Sequence, residues 1–347
     1  MTDTGDKTGF KPKAIVKKLL AALPERSRVI LESRFGLGAS TDKITLEAIG
    51  DRYGITRERV RQIESHALIA VKKSPAFTEA TAAFGELERI IDSLGGVVCE
   101  DDLLGFMSKD ASMQNHIYFL LVLGDPFKYR KEDDEVNRCW YVDRELADKI
   151  EGALKSLYNG LSDKDLIPEG EMIDRFLKEL ENINDKHRNA EVLKRWLSIS
   201  KTIGKNPLGE WGPASSPNVK TKGVRDYAYL AVKKHGSPLH FREVAAMIEK
   251  MFNRAAHVAT THNELIKDER FVLVGRGMYA LKEWGYTEGV VRDVIREVLR
   301  ENGPLSKEQI IEKVLKERHV KPGTIVVNLQ NQKYFKRGKD GKFSAVK

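Results

Sequence analysis

From about residue 81 the sequence returns four times to one pattern. A helical stretch precedes a short extended piece that leads into a second helix: GGVVCEDDLLGFM (95–107), LIPEGEMIDRFLKEL (166–180), GSPLHFREVAAMI (236–248) and GPLSKEQIIEKVL (303–315). A third helical stretch follows, and each unit closes on two short β-forming runs around a turn. The extended positions Val98, Ile167, Leu239 and Leu305 are 69, 72 and 66 residues apart. The closing aromatics Trp140, Trp211, Tyr279 and Phe343 are 71, 68 and 64 apart. Two independent landmarks with nearly one period mark tandem units. Three helices closed by a β-hairpin is the winged-helix layout, and the runs FVLVGRGMYAL (271–281) and YFKRGKDGKFSAV (334–346) carry glycine turns suited to the wings.

The chain has 347 residues, enough for several cores, and its 41% hydrophobic and 32% charged content is that of a soluble globular protein. It holds no apolar run long enough to cross a membrane, and the opening MTDTGDKTGF has no apolar leader segment. Cys99 and Cys139 form no CxxC pair, so neither a disulfide framework nor a zinc site is expected, and a reducing cytoplasm fits. Charge is unevenly spread. Residues 1–80 hold 15 basic against 10 acidic side chains (+5), residues 81–200 hold 16 against 25 (−9), and residues 201–347 hold 28 against 16 (+12). Basic ends attract polyanions through counterion release, although blocks of charge also serve as plain solvated surface.

Ahead of the repeats, LEAIGDRYGITRERVRQI (46–63) has the layout of two short helices crossing over an apolar corner. Thr45 and Thr56 suit N-caps, Gly50 permits close approach, Gly54 suits a left-handed turn and Ile55 fills the corner. In the second helix Val60, Ile63, Ala67 and Val71 recur on one side. At about 100° per residue, Arg57, Arg61, Ser65, Glu58 and Gln62 then form one outward strip spanning about 140°. These are side chains that read base edges: Arg pairs with guanine, Gln with adenine, Glu with the cytosine amino group. Arg59 flanks the strip and suits a phosphate, as do Lys72 and Lys73 at the helix exit.

The stretches LPERSRVILESRFGLG (23–38) and TLEAIGDRYGITRERVRQIESHAL (45–68) resemble the fourth conserved region of housekeeping-type bacterial sigma factors. That resemblance implies that Arg57, Glu58, Arg61 and Gln62 read a promoter −35 element in the major groove. Thr56, Arg59, Ser65, Lys72 and Lys73 are then the backbone-contacting set. It further implies docking on the flap of the RNA polymerase β subunit, with Ile30, Leu31 and Phe35 building the core of the domain, a core role being favoured for these three over a direct contact with the flap. A complete sigma factor also carries a region that melts the −10 element. No such segment is found, so the chain is not expected to start transcription as a complete sigma factor does.

The third repeat, from Tyr227 through Trp284, resembles the HARE helix-turn-helix domain at Gly236, Pro238, Leu239, His240, Phe271 and GRGMYALKEW (275–284). That family occurs in the RNA polymerase delta subunit and in chromatin and restriction proteins, and it implies a binding module. Candidate DNA contacts there are Thr260, Thr261, His262, Asn263 and the wing residue Arg276. In the fourth repeat they are Asn328, Asn331, Lys336, Arg337 and Lys339. The same wings would equally serve facing solvent or protein. The first wing carries Glu132, Asp133, Asp134 and Glu135, which repel phosphate, so repeats one and two are expected to be spacers or protein-binding surfaces.

The expected fold is mainly α with small β-wings. A helix-turn-helix domain (12–78) follows a disordered terminus (1–11), and winged-helix units span 80–143, 144–222, 223–285 and 286–347. No phosphate loop, nucleophile elbow or metal set is present, His257 and His262 being off one helical face, so no enzyme, cofactor, metal, membrane or small-molecule substrate is expected. The expected function is a cytoplasmic transcription factor that binds promoter duplex DNA and core RNA polymerase. The rival is a delta-like polymerase subunit acting mainly by protein contacts; a nucleic-acid enzyme would need a catalytic domain that the sequence does not show.

Overall fold

The computed structural model describes residues 9–180, 183–286, 290–318, 320–338 and 340–346. It is mainly helical with small antiparallel sheets, and divides into two compact units. The first holds residues 1–204 and 211–214, the second residues 205–210 and 215–347.

The first unit begins with α1 (Pro12–Ala21), α2 (Glu25–Phe35), α3 (Leu46–Tyr53) and α4 (Arg57–Lys72). The short α5 (Pro75–Glu79) leads into the first repeat: α6 (Thr81–Ser93), β1 (Val97–Cys99), α7 (Glu100–Met107), α8 (Ala111–Leu123), β2 (Lys128–Arg130) and β3 (Cys139–Tyr141). The second repeat has α9 (Arg144–Asn159), α10 (Glu169–Glu179), α11 (Ala190–Ile199), β4 (Ile203–Lys205) and β5 (Trp211–Pro213). In the second unit the third repeat runs α12 (Val224–His235), β6 (Leu239–His240), α13 (Phe241–Phe252), α14 (Val258–Lys267), β7 (Phe271–Gly275) and β8 (Met278–Leu281). The fourth runs α15 (Val291–Asn302), α16 (Lys307–Glu317), α17 (Pro322–Leu329), β9 (Phe335–Arg337) and β10 (Phe343–Ala345).

The two sequence landmarks prove to be partners. Val98 pairs with Trp140, Ile167 with Trp211, Leu239 with Tyr279 and Leu305 with Phe343, antiparallel in every case. The extended residue adds a third rung beside the closing hairpin, and the two side chains close the repeat together. A common period in both landmarks is therefore one constraint seen twice: the distance along the chain from rung to rung.

One apolar core crosses from the N-terminal helices into the first repeat. Leu19, Leu31, Phe35, Ala67 and Val71 share it with Leu87, Leu103, Phe119 and Trp140. The element responsible is α8, which is apolar nearly all round and so cannot rest on a solvated surface. It packs on α1 and α2. Phe35 meets the edge of Phe119 at 5.0 Å, and the buried Asn115 donates its side-chain amide to the Gly36 carbonyl at 3.1 Å and to that of Thr41 at 2.8 Å. Lys13 bonds Asp110, the N-cap of α8, at 2.9 Å, and Lys72 bonds Asp125 at 2.6 Å. The second repeat docks on the first in the same manner. Its third helix, α11, buries Val192, Leu193 and Trp196 and packs on β1. The acidic hairpin of the first repeat is neutralised within the unit: Lys201 holds Glu132, Arg130 holds Asp133 at 3.0 Å and Lys155 holds Glu135 at 3.6 Å.

Phe119→Ala is expected to destabilise the first unit by about 3–5 kcal/mol. Amide protection should fall in α2 together with α8, as hydrogen exchange would show; loss confined to α8 would mean separate cores. Asp110 is held below the ordinary carboxylate range by the Lys13 hydrogen bond and by the Ser112 and Met113 amides. A depressed carboxyl pKa stabilises above the unfolded value and ceases to as pH falls through the folded one. Asp110→Asn should therefore lower the unfolding midpoint at pH 7, with the difference closing as pH falls below the ordinary aspartate range.

Candidate nucleic-acid interface

The α3–α4 pair is held by a small core of its own. Ile30, Ile49 and Val60 are fully buried, with Ile44, Leu46, Ile55 and Ile63 packed around them. Two glycines make the crossing possible. Gly54 sits at φ +63°, and a Cβ on Gly50 would lie 2.6 Å from the Ile55 carbonyl oxygen. Thr45 accepts from the Ala48 amide, and Thr56 from the Arg59 amide at 3.2 Å, each satisfying a donor at its helix start. With Val60, Ala67 and Val71 inward, the other side of α4 turns to solvent.

On that side Arg57, Glu58, Arg59 and Arg61 are exposed, and Gln62 and Ser65 half-buried. The structure adds what periodicity does not show: the outward side chains are engaged with one another. Glu58 receives Arg61 Nε at 2.8 Å and Nη2 at 2.7 Å, and Arg59 donates to Gln62 Oε1 at 3.2 Å. The Arg61 hydrogen bond holds Glu58 below the ordinary carboxylate range, and Glu58 raises Arg61 in turn. The fork leaves Arg61 Nη1 without an acceptor among the described residues, and aligns the guanidinium plane along the strip. Beneath it, Glu64 is half-buried and lies 3.5 Å from Arg34; burial pushes its carboxyl up. Lys73 is exposed, but Lys72 is committed to Asp125, so of the two helix-exit lysines only Lys73 stands free for a phosphate among the described residues. Asp125 lies 53 residues on and gives no local signal of this pairing.

The repeats differ in the fate of the third helix. In repeat one α8 is covered on nearly every side by neighbouring elements of its unit, whereas in repeat two α11 buries Val192, Leu193, Trp196 and Leu197 and keeps Glu191 and Ser198 exposed. In the third repeat α14 keeps Thr260, Asn263 and Ile266 exposed. Thr261, expected as a contact, is instead fully buried. Its hydroxyl donates to the His257 carbonyl at 3.1 Å, which lets a polar side chain join Leu265 on the core side of the helix. His262 is half-buried, stacked on Phe241 at 4.2 Å with Tyr279 against its edge, so it acts as a wall of the site and projects less than Asn263. Arg276 is exposed in the β7–β8 turn. In the fourth repeat Lys336 and Arg337 are exposed on β9, Arg337 donating to the Gly341 carbonyl at 3.3 Å. Asn328 and Asn331 bond within their own turns. Lys339 lies outside the described residues.

Among the described residues no group of three His, Cys, Asp or Glu side chains could hold a metal, and no helix is long and apolar enough to cross a membrane. Cys99 and Cys139 face each other across β1 and β3 as free thiols. Burial pushes them up to about 12 and about 11, which suppresses the nucleophilic thiolate.

Residues 19–73, from the last turn of α1 through α4, match the family described as Sigma-70, region 4. Over 65 residues the chain is 40% identical to the RNA polymerase principal sigma factor HrdD of Streptomyces viridifaciens, covering 19% of this chain and 19% of that protein. Over 54 residues it is 44% identical to the RNA polymerase sigma factor RpoD of Neisseria gonorrhoeae, 16% of this chain and 8% of that protein. The chain thus spans under a fifth of the length of these curated relatives, and the family match covers the helices that build the α4 strip.

Glu58→Ala should release the Arg61 guanidinium. Titration against duplex DNA over a salt series should then show tighter sequence-blind binding, with a salt slope steeper by about 1. An unchanged slope would mean that Arg61 is not held back by the fork.

Proposed function

We propose that the chain is a DNA-binding transcription factor that reads a promoter −35-like element with α4 and associates with RNA polymerase. The observation that carries this is a capped helix, clamped on one side by Ile30, Ile49 and Val60, whose other side carries Arg57, Glu58, Arg61 and Gln62 within the stretch similar to Sigma-70 region 4. Arg and Gln supply the bidentate base contacts, Glu58 both selects against phosphate-rich approaches and steers Arg61, and Thr56, Arg59, Ser65 and Lys73 fix register on the backbone.

The four repeats are read as winged-helix modules, the third HARE-like, since each has the order of helices and closing hairpin that the module requires. Those of the +12 block would lay Asn263, Arg276, Lys336 and Arg337 on duplex backbone. Those of the −9 block, with α8 buried against α1 and α2 and α11 packed on β1, would hold the α1–α4 domain and space it. A protein partner of that domain, including the polymerase β flap, has to use what α8 leaves open. The residues after Lys73 are taken up by the repeats, so no −10-melting step is assigned to them. No enzymatic step is part of this reading, and its site of action is the cytoplasm. The acidic, internally neutralised first hairpin favours a second reading, a delta-like polymerase subunit acting mainly through protein contacts.

Base readout is tested by anisotropy titrations against a −35-like duplex and its scrambled counterpart. Arg61→Ala and Gln62→Ala should each cost about 1–3 kcal/mol on the matched duplex alone. Equal losses on both duplexes would reduce the strip to phosphate contact. Lys336→Ala with Arg337→Ala should lower the salt slope by about 1–2 without changing sequence preference. Co-elution with core polymerase combined with weak, sequence-blind DNA binding would decide for the second reading.

A further inference from the structure

Within the second unit, a cleft of about 720 Å³ opens between the β7–β8 hairpin of the third repeat and the α16–α17 connection of the fourth. Leu273, Met278, Val291 and Val320 give it apolar walls, and Arg276, Arg318 and Lys321 bring positive charge, with no carboxylate in its lining among the described residues. Leu273 and Val290 remain 48% and 59% exposed at its edge, large apolar side chains left without cover. A concave apolar site of this size with a few convergent polar groups is the form small-molecule sites take.

Arg318 is the residue that the fold does not account for. It is only 3% exposed. Its Nη1 donates to the Leu273 carbonyl, which fixes the plane of the guanidinium. Nε and Nη2 are buried and have no hydrogen-bond partner. A buried guanidinium left with two nitrogens unsatisfied is costly, and charges in such positions are ordinarily paired. Burial presses Arg318 below its ordinary pKa, opposed by the more distant charges of Asp293 and Glu317. Nε and Nη2 form one edge of the guanidinium, the edge that takes both oxygens of a planar carboxylate. The protein uses that same edge on itself where Arg61 grips Glu58.

We propose that this cleft binds a small organic carboxylate with an apolar body, its carboxylate on the Nε–Nη2 edge of Arg318 and its body against Leu273, Val291 and Val320. Arg276 and Lys321, both exposed, stand at the mouth and raise the local concentration of anions. The site needs neither α4 nor a duplex, although it shares Arg276 with the backbone contacts assigned to the third repeat.

The test is calorimetric titration of the full chain at fixed ionic strength with three probes: hexanoate, 1-hexanol, which has the body without the charge, and inorganic phosphate, which has charge without the body. Hexanoate should bind at least tenfold tighter than either. Arg318→Met should weaken hexanoate at least tenfold while leaving the circular dichroism spectrum unchanged. Thr324→Trp, an exposed α17 position lining the cleft, should block binding with Arg318 intact, and it keeps the proposal testable should Arg318→Met not fold. Hexanoate binding no tighter than hexanol or phosphate, or surviving both substitutions, would overturn the proposal.

Discussion

The first unit depends on the burial of α8 against α1 and α2. A thirteen-residue helix with leucine, isoleucine and phenylalanine on nearly every side has no stable solvated state, and the N-terminal helices supply the missing wall. The Phe35–Phe119 contact gives this packing its apolar centre. Asn115 gives it register, because its amide satisfies the buried Gly36 carbonyl and also holds that of Thr41. The loop between α2 and α3 is thereby held from outside its own domain, and so is the position of α3 beneath α4. The presentation of the outward strip is thereby tied to the first repeat.

On that strip, electrostatics and geometry are combined in one bond. An exposed arginine ordinarily samples many rotamers, and an isolated surface ion pair adds little stability. The Glu58–Arg61 fork matters more for orientation: it limits the guanidinium to a plane along the helix before any partner arrives. The cost is that one of the cations is partly neutralised, which lowers sequence-blind attraction to phosphate. A helix that has to discriminate among base edges gains from that exchange, and one that only holds backbone would not.

The repeats show how one supersecondary order serves different ends. Each is closed by the same pairing of an extended residue with an aromatic, so each can fold on similar terms. What differs is the surface of the third helix. The apolar circumference of α8 and the Val192–Trp196 face of α11 commit them to neighbours, whereas α14 keeps Thr260 and Asn263 outward and α17 leaves Val327 in solvent.

The local architecture was legible because it depends on neighbours in sequence. Thr45 and Thr56 as caps, Gly50 and Gly54 at the crossing, Val60, Ala67 and Val71 inward, and the pairing landmarks of all four repeats follow from periodicity, capping and turn chemistry. Thr261 escaped because the helical wheel treats a hydroxyl as outward, while an i−4 carbonyl bond pays its way into a core. Lys72 escaped because its partner Asp125 sits in the first repeat, far along the chain. By itself the sequence determined the helices, their caps and which face of α4 is polar, since those rest on interactions within a few residues. Only the tertiary structure decided that α8 joins the N-terminal domain, that Glu58 and Arg61 close on each other, and that Arg318 lies buried with Nε and Nη2 unpaired among the described residues. Those outcomes depend on distances between rotamers and on segments remote in the chain, which no period in the sequence encodes.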